Sequence, residues 1–250
     1  MADKYFAVPQ GKVYIASRNT AGLTSGYEYI GDADGFTITT SQQFLDIYES
    51  NTGDRNIVAH LPTQTDIAAE VSILNIDAKN LARAYYGATE SVAAGSVVGE
   101  DVIAYNGQSF ALAYPKVSSV VVKKGATTLV LNTDYTLDAA SGVITILPGS
   151  TNVTGSTATA LTVDYAHGKA TVIQGFTEGL KDYSLYFAGK SRFDNLSQRA
   201  TIHRVALDLA ATLSLIGTGV NKLVVKGKLL PAYEQPVGDS QYFTYVQEEE

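Results

Sequence analysis

His60, His167 and His203 are the residues of this 250-residue chain best suited to moving protons or holding a metal. They fall in separate stretches, and none of the ligand spacings of a metal motif accompanies them, so a three-histidine site would need long-range convergence. They are read as ordinary surface or sheet positions. Asp32-Ala33-Asp34-Gly35 has part of the pattern of a calcium loop, whose alternate carboxylates point inward at a hard cation, but the third acidic position and the distal bidentate Glu are missing. A turn is expected there. The chain has no G-x-S-x-G elbow, no G-x-x-x-x-G-K-[ST] phosphate loop and no G-x-G-x-x-G fingerprint, and Gly217-Thr218-Gly219 reads as a turn. Zero cysteines exclude a thiol nucleophile, a thiolate metal site and a disulfide scaffold. No nucleophile, base and oxyanion donor lie near one another, so no catalytic, cofactor-binding or metal-ligating residue is assigned, and a hydrolase hidden in a β scaffold ranks last.

Charge narrows the partners. Eighteen Lys and Arg stand against 25 Asp and Glu, a formal net charge of -7, and the chain ends in Glu248-Glu249-Glu250. Tight binding of nucleic acid needs cations that displace condensed counterions, so it is not expected; a wall past which DNA must slide is better like-charged. The basic clusters are Lys123-Lys124 and Lys222 with Lys226 and Lys228, and the latter two share a strand face on which they could balance an acidic lumen or blunt an open edge. The first residues carry no basic region followed by an apolar run, and no stretch approaches the roughly 18 apolar residues of a membrane span, so neither secretion nor anchoring is expected. On that ground the sequons at Asn152 and Asn195 are discounted. Tyr85, Tyr86, Tyr183 and Tyr186 could form a sugar-binding platform, but tyrosine is equally a sheet and interface residue.

The elements that must position any working surface are strands. Residues 12–17 alternate, Val13 and Ile15 against Tyr14 and Ala16. Residues 19–35 read as a loop. Phe36 and Ile38 then oppose Thr37 and Thr39, and after the polar run Tyr48-Glu49-Ser50-Asn51-Thr52-Gly53-Asp54-Arg55 the return arm places Ile67, Ala69, Val71 and Ile73 on one side. The result is a hairpin longer than a lone domain needs, with edges that invite a neighbouring copy. Over 77–87 one short helix is predicted, capped by Asp77, with Leu81, Ala84 and Tyr85 as its apolar stripe and Gly87 in the left-handed closing conformation.

The small residues of 89–99 read as a flexible linker. Strands at 117–123, 128–131, 135–138, 143–147 and 161–165 have the spacing of a small β sandwich, and Asp138-Ala139-Ala140-Ser141-Gly142 is a hairpin loop with Gly142 at a left-handed position. Longer strands return at 170–176, 183–188, 201–208, 223–230 and 242–246. Residues 209–216 suit a helical stripe or an irregular connection equally.

In chain order, the loop before Phe36, the hairpin Glu49-Ser50-Asn51-Thr52-Gly53-Asp54-Arg55, the helix Asn80-Leu81-Ala82-Arg83-Ala84-Tyr85-Tyr86-Gly87 and the ending Leu213-Ser214-Leu215-Ile216-Gly217 with Leu223-Val224-Val225-Lys226-Gly227-Lys228-Leu229-Leu230 resemble the tail tube proteins of long, non-contractile phage tails. The resemblance covers roughly 1–90 and 170–250, and the segment between is similar to an inserted immunoglobulin-like module. It implies an all-β, tail-tube-type sandwich or barrel with one short helix and a long hairpin, divided as 1–96, an inserted module at 97–168, and 169–250. It further implies stacked hexameric rings around a lumen, assembled in a host cytoplasm into a virion tail that conducts DNA. Tape measure, tail terminator and distal tail proteins would be its partners, with no membrane involved. Glu49, Ser50, Asn51, Thr52, Gly53, Asp54 and Arg55 would then make a subunit or ring contact. The rival expectation is a carbohydrate- or receptor-binding adhesin that works through the inserted module.

Overall fold

The computed structural model describes residues 9–22, 24–51, 53–193 and 195–248 and is all-β apart from one short helix. The chain opens with β1 (Pro9–Ser17) and the short β2 (Glu28–Tyr29), followed by two long arms, β3 (Ala33–Tyr48) and β4 (Ile57–Ile73), and the helix α1 (Ala78–Ala84). Next come β5 (Ala88–Val92), β6 (Gly95–Ala104), β7 (Ser109–Ala111), β8 (Val117–Lys124), β9 (Thr127–Thr128), β10 (Tyr135–Asp138), β11 (Val143–Ile146) and β12 (Thr159–His167). The last strands are β13 (Ala170–Gln174), β14 (Asp182–Ser191), β15 (Ser197–Leu207), β16 (Leu223–Leu229) and β17 (Phe243–Gln247). The chain divides into two compact units, one of Met1–Ala88 with Ile173–Glu250 and one of Thr89–Val172.

The first unit is one antiparallel sheet in the order β2-β1-β14-β15-β16-β4-β3, with β17 also on β15. Strict alternation makes its core: along β16, Leu223, Val225 and Leu229 are buried while Lys226 and Lys228 face water. Val13 and Ile15 of β1, Val71 and Ile73 of β4, Leu185 of β14 and Ile202 and Val205 of β15 join the same cluster. The sheet remains open, with β2 and β3 as its ends among the described residues.

Helix α1 covers part of this core. The Asp77 carboxylate accepts from the Asn80 amide at 2.7 Å, Ala84 is fully buried, and Leu81 and Tyr85 pack on the cluster. Seven residues would not hold a helix alone, so the packing does. Its exit corrects the expectation for Gly87: Tyr86 takes the left-handed conformation, at φ 47, and Gly87 does not. Glycine is needed at 87 for another reason, since a Cβ there would stand 2.6 Å from the Gln174 carbonyl oxygen. Gly87→Ala is therefore expected to destabilise this unit by about 1–3 kcal/mol, the usual range for overpacking against structure that cannot retreat. A lowered midpoint in denaturant unfolding is the measurement.

The second unit packs two sheets, β6-β12-β8-β9 and β10-β11-β7, over one core in which Val122, Ile144, Ile146, Leu161 and Val163 are almost wholly buried. The loop closing β10 and β11 forms as its composition demands: Gly142 has φ 72, its amide donates to the Asp138 carbonyl at 2.9 Å, and the Asp138 carboxylate accepts from the Ser141 hydroxyl at 2.6 Å. Two expectations are corrected. Residues 89–99 are no flexible linker, because β5 pairs with β13 and β6 with β12, and small side chains do not prevent a backbone ladder from forming. The strand expected at 128–131 stops at β9, because the Val130 amide donates to the Asp134 carboxylate instead of continuing a ladder.

Candidate assembly surface

The hairpin of β3 and β4 is paired from Ala33 with Ile73 out to Tyr48 with Ile57. Only its base belongs to the wider sheet, for β16 borders β4 from Ile73 to Ala68 and goes no further. Beyond that point, among the described residues, β4 pairs only with β3 and the outer side of β3 pairs with nothing. The distal half is thus a two-stranded ribbon with both edges open.

Its side chains are not those of a solvated ribbon. Leu45 faces Leu61 and Ile47 faces Ala59 on one side, with Leu45 54% and Leu61 48% exposed. On the other side Phe44 lies opposite Pro62 and stacks on the His60 ring at 4.1 Å, while His60 bonds Asp46 through Nδ1. Tyr48, Ile57 and Val58 are exposed as well. An isolated two-stranded ribbon is marginal in water, and apolar residues on both faces of one give it a surface that is stable only when covered.

At the tip the structure brings Glu49, Ser50, Asn51, Gly53, Asp54 and Arg55 into one turn; Thr52 lies outside the described residues. The Glu49 amide donates to the Asn56 carbonyl at 2.9 Å and the Asn56 side chain returns a bond to the Glu49 carboxylate at 3.0 Å. Gly53 has φ 81, and the Arg55 guanidinium stands 5.5 Å from the centre of the Tyr48 ring. Ser50, Asn51 and Asp54 point to solvent.

Around β16 and the base of the hairpin, the face of this sheet turned from the core is polar and charge-balanced. Lys226 pairs with Glu70 at 2.8 Å, directly across the ladder, Lys228 reaches Asp66 at 3.5 Å, and Lys222 pairs with Asp34. Exposed pairs of this kind contribute about 0–1 kcal/mol each. The expectation that Lys226 and Lys228 blunt an edge is corrected, because β16 lies inside the sheet between β15 and β4.

Sequence reasoning missed a second apolar surface. Residues 209–216 form no helix, and Leu213, Leu215, Ile216 and Val220 stand exposed, Ile216 at 94%. The run of large aliphatics beside Gly217 and Gly219 is the signal that points to it. The tyrosines sit as sheet and core residues: Tyr183 is buried, Tyr85 packs on the core, and the Tyr86 hydroxyl donates to the Leu207 carbonyl. Tyr186 instead meets Tyr14 at 6.1 Å and Tyr27 at 5.5 Å on the outer side of β1 and β14.

The histidines sit on β4, β12 and β15. His167 is buried and stacks on Tyr114 at 4.3 Å, and burial holds His203 below its ordinary pKa while its Nε2 meets the Thr244 hydroxyl at 3.0 Å. Asp32 accepts from the Tyr29 hydroxyl at 2.9 Å whereas Asp34 pairs with Lys222, so the two carboxylates of the calcium-like run serve separate partners. Among the described residues no group of three or more His, Asp or Glu converges to hold a metal ion, and no helix is long and apolar enough to cross a membrane. A family model described as protein of unknown function UCP028589 matches residues 6–246, and no curated protein matches the chain.

Proposed function

We propose that this chain, which belongs to the UCP028589 family of proteins of unknown function, is a self-assembling structural protein whose copies join side by side into stacked rings, as in the tube of a phage tail. The observation that carries this reading is the distal ribbon of β3 and β4, which has open backbone edges and uncovered apolar side chains on both faces. Closure of a ring covers such edges without leaving a new one, which is how repeated sheets escape unlimited edge pairing. Heterologous contact between unlike surfaces of identical copies gives rings where the rotation closes. A formal charge of -7 per copy and a polar outer face of paired charges suit a conduit through which DNA passes without adhering.

Negative-stain microscopy of the purified chain tests the reading. Rings or hollow filaments are expected as concentration rises; a chain that stays monomeric at all concentrations, even when offered a tail-tip complex, would refute it. The tip gives a second expected outcome. Replacing Arg55 by Glu removes its cation from the Tyr48 ring and adds a like charge beside Asp54 and Glu49, which should shorten the filaments and lower their yield at unchanged monomer stability. Filament length distributions for the two proteins decide it.

A further inference from the structure

The connection from β15 to β16 carries no charged residue between Leu209 and Asn221. Its neck is tied to the unit where the Ala210 amide donates to the Ala84 carbonyl at 2.9 Å. Farther out, the Asn221 side chain donates to the Ser214 carbonyl at 3.0 Å and the Ser214 hydroxyl to the Ile216 carbonyl at 3.2 Å, while a Cβ on Gly217 would stand 2.9 Å from Asn221 Oδ1. The loop is thus closed on itself as a compact turn, and it holds outward Leu215, Ile216 and Val220, at 81%, 94% and 75% exposure. Large aliphatics displayed from a fixed turn put an apolar surface in water that only an occupant removes.

Sheet register places this loop. β16 starts where Leu223 faces Ile73, and Ile73 faces Ala33, so the loop stands at the end of the sheet where the hairpin begins; Lys222 at its foot pairs with Asp34. The open ribbon leaves from the other end, for β4 from Ile57 to Ile67 has no β16 beside it, a projection of roughly 35 Å. Unlike apolar surfaces at the two ends of one sheet are what identical copies need to join head to tail.

We propose that the loop at 213–220 receives the distal ribbon of a second copy, with Leu215, Ile216 and Val220 covering the face made by Leu45, Ile47 and Leu61. The inference rests on the self-assembly reading above, for which it names the receiving surface, but not on the shape of the assembly. Both partners are free of charge where they meet: residues 36–45 and 57–65 of the ribbon contain no Asp, Glu, Lys or Arg, and the nearest carboxylate, Asp46, is bonded by His60. No ion therefore has to be desolvated. A bilayer is the other occupant that accepts bare aliphatics, but cations that meet anionic headgroups draw loops to it. Here Lys222 and Lys226 beside the loop are paired with Asp34 and Glu70, and the chain carries a formal charge of -7.

The chain has no cysteine, so introduced thiols report without ambiguity. A Leu45→Cys protein mixed with an Ile216→Cys protein and oxidised is expected to give a dimer whose linked peptide, identified by mass, joins positions 45 and 216, in clear excess over the dimers that each protein forms with itself. Within one copy these positions are separated by some ten strand residues, roughly 30 Å, far beyond the roughly 7 Å between Cα atoms that a disulfide spans. Mixed dimers no more abundant than self-dimers would overturn the proposal, and an excess of Ile216→Cys self-dimers would do so by pairing loop with loop. Leu215→Ser combined with Ile216→Ser supplies the second arm: the concentration at which assembly begins should rise on the order of 100-fold while the monomer melts at the same temperature. An unchanged onset would overturn the contact. Phosphatidylcholine vesicles, with and without phosphatidylserine, are expected to leave the unaltered chain in solution; co-sedimentation that the double serine variant loses would assign the loop to lipid and refute the inference. Linked chains that form no ring or tube would leave this contact standing and refute the tube, whereas tubes without the bond between positions 45 and 216 would refute the contact and leave the tube.

Discussion

Replacing Leu45, Ile47 and Leu61 together by serine is expected to leave a folded monomer that no longer assembles at concentrations where the unaltered chain does. These three side chains share one face of the distal ribbon, and Ile47, at 44% exposure, is as uncovered as its neighbours. Burying a large aliphatic side chain completely is worth about 1.5–3 kcal/mol. About half of each remains to be covered, so the triple change removes on the order of 3 kcal/mol per contact and raises the concentration at which assembly begins about 100-fold. The monomer itself should lose little, because substitutions at exposed positions usually stay within about 0.5 kcal/mol each. Sedimentation velocity measures the assembly and circular dichroism the fold. Undiminished assembly would show that this face is not the contact, and loss of both signals together would show that the ribbon stabilises the monomer.

The same ribbon shows where the sequence is legible and where it stops being so. At the hairpin base, Phe36 and Ile38 alternate with Thr37 and Thr39, and Ile67 to Ile73 alternate in return, because one face meets a core and the other meets water. Farther out, Phe44-Leu45 and Ile57-Val58 break the period of two, since both faces are apolar and neither is covered within the chain. What such a pattern means depends on a neighbour, and no intrachain regularity encodes it. In the second unit the β10–β11 hairpin was readable from Asp138 and Gly142, whereas β6 was not. Gly99, at φ 73, interrupts β6 where β12 shifts register between Val163 and Tyr165, and the Asp164 carboxylate takes the Gly99 amide at 2.7 Å. A bulge of this kind removes the alternation that a sequence pattern relies on. Gly11, Gly189 and Gln198 form one row across β1, β14 and β15 that only the folded sheet brings together, so neither Gly11 nor Gln198 could be singled out beforehand.

Asp134 should be the most sensitive single side chain of the second unit. It is 3% exposed, and its carboxylate accepts from the Val130 amide at 2.9 Å, the Ser150 hydroxyl at 2.7 Å and the Asn152 side-chain amide at 3.1 Å. Ser150 in turn receives the Asn152 and Val153 amides at 3.3 Å, so one carboxylate organises the turn that brings fully buried Val153 into the core. This bond to Asp134 also occupies the asparagine of the Asn152 sequon. Asp134→Ala leaves three donors without their acceptor, and at about 1–3 kcal/mol for each one that stays buried, the loss should be on the order of 3–5 kcal/mol even if one of them finds water. Asp134→Asn keeps the shape and one acceptor oxygen but turns an NH2 group toward donors, so an intermediate loss is expected. The Val130 amide first, and the Ser150 hydroxyl next, hold this carboxyl below its ordinary pKa. Its folded pKa is therefore below the unfolded value, and its stabilisation is fully present above the unfolded value of about 3.9 and lost as pH falls through the folded one. Protection factors of the β10, β11 and β12 amides, the exchange rates taken relative to the unfolded chain at the same pH, should thus fall in acid below about pH 4 in the unaltered chain, while Asp134→Ala should show weak protection already at neutral pH and lose that part of the acid dependence. Slow exchange in Asp134→Ala at neutral pH would mean that Ser150 and Asn152 close the turn without the carboxylate, and the fold of this unit would then rest on its apolar core alone.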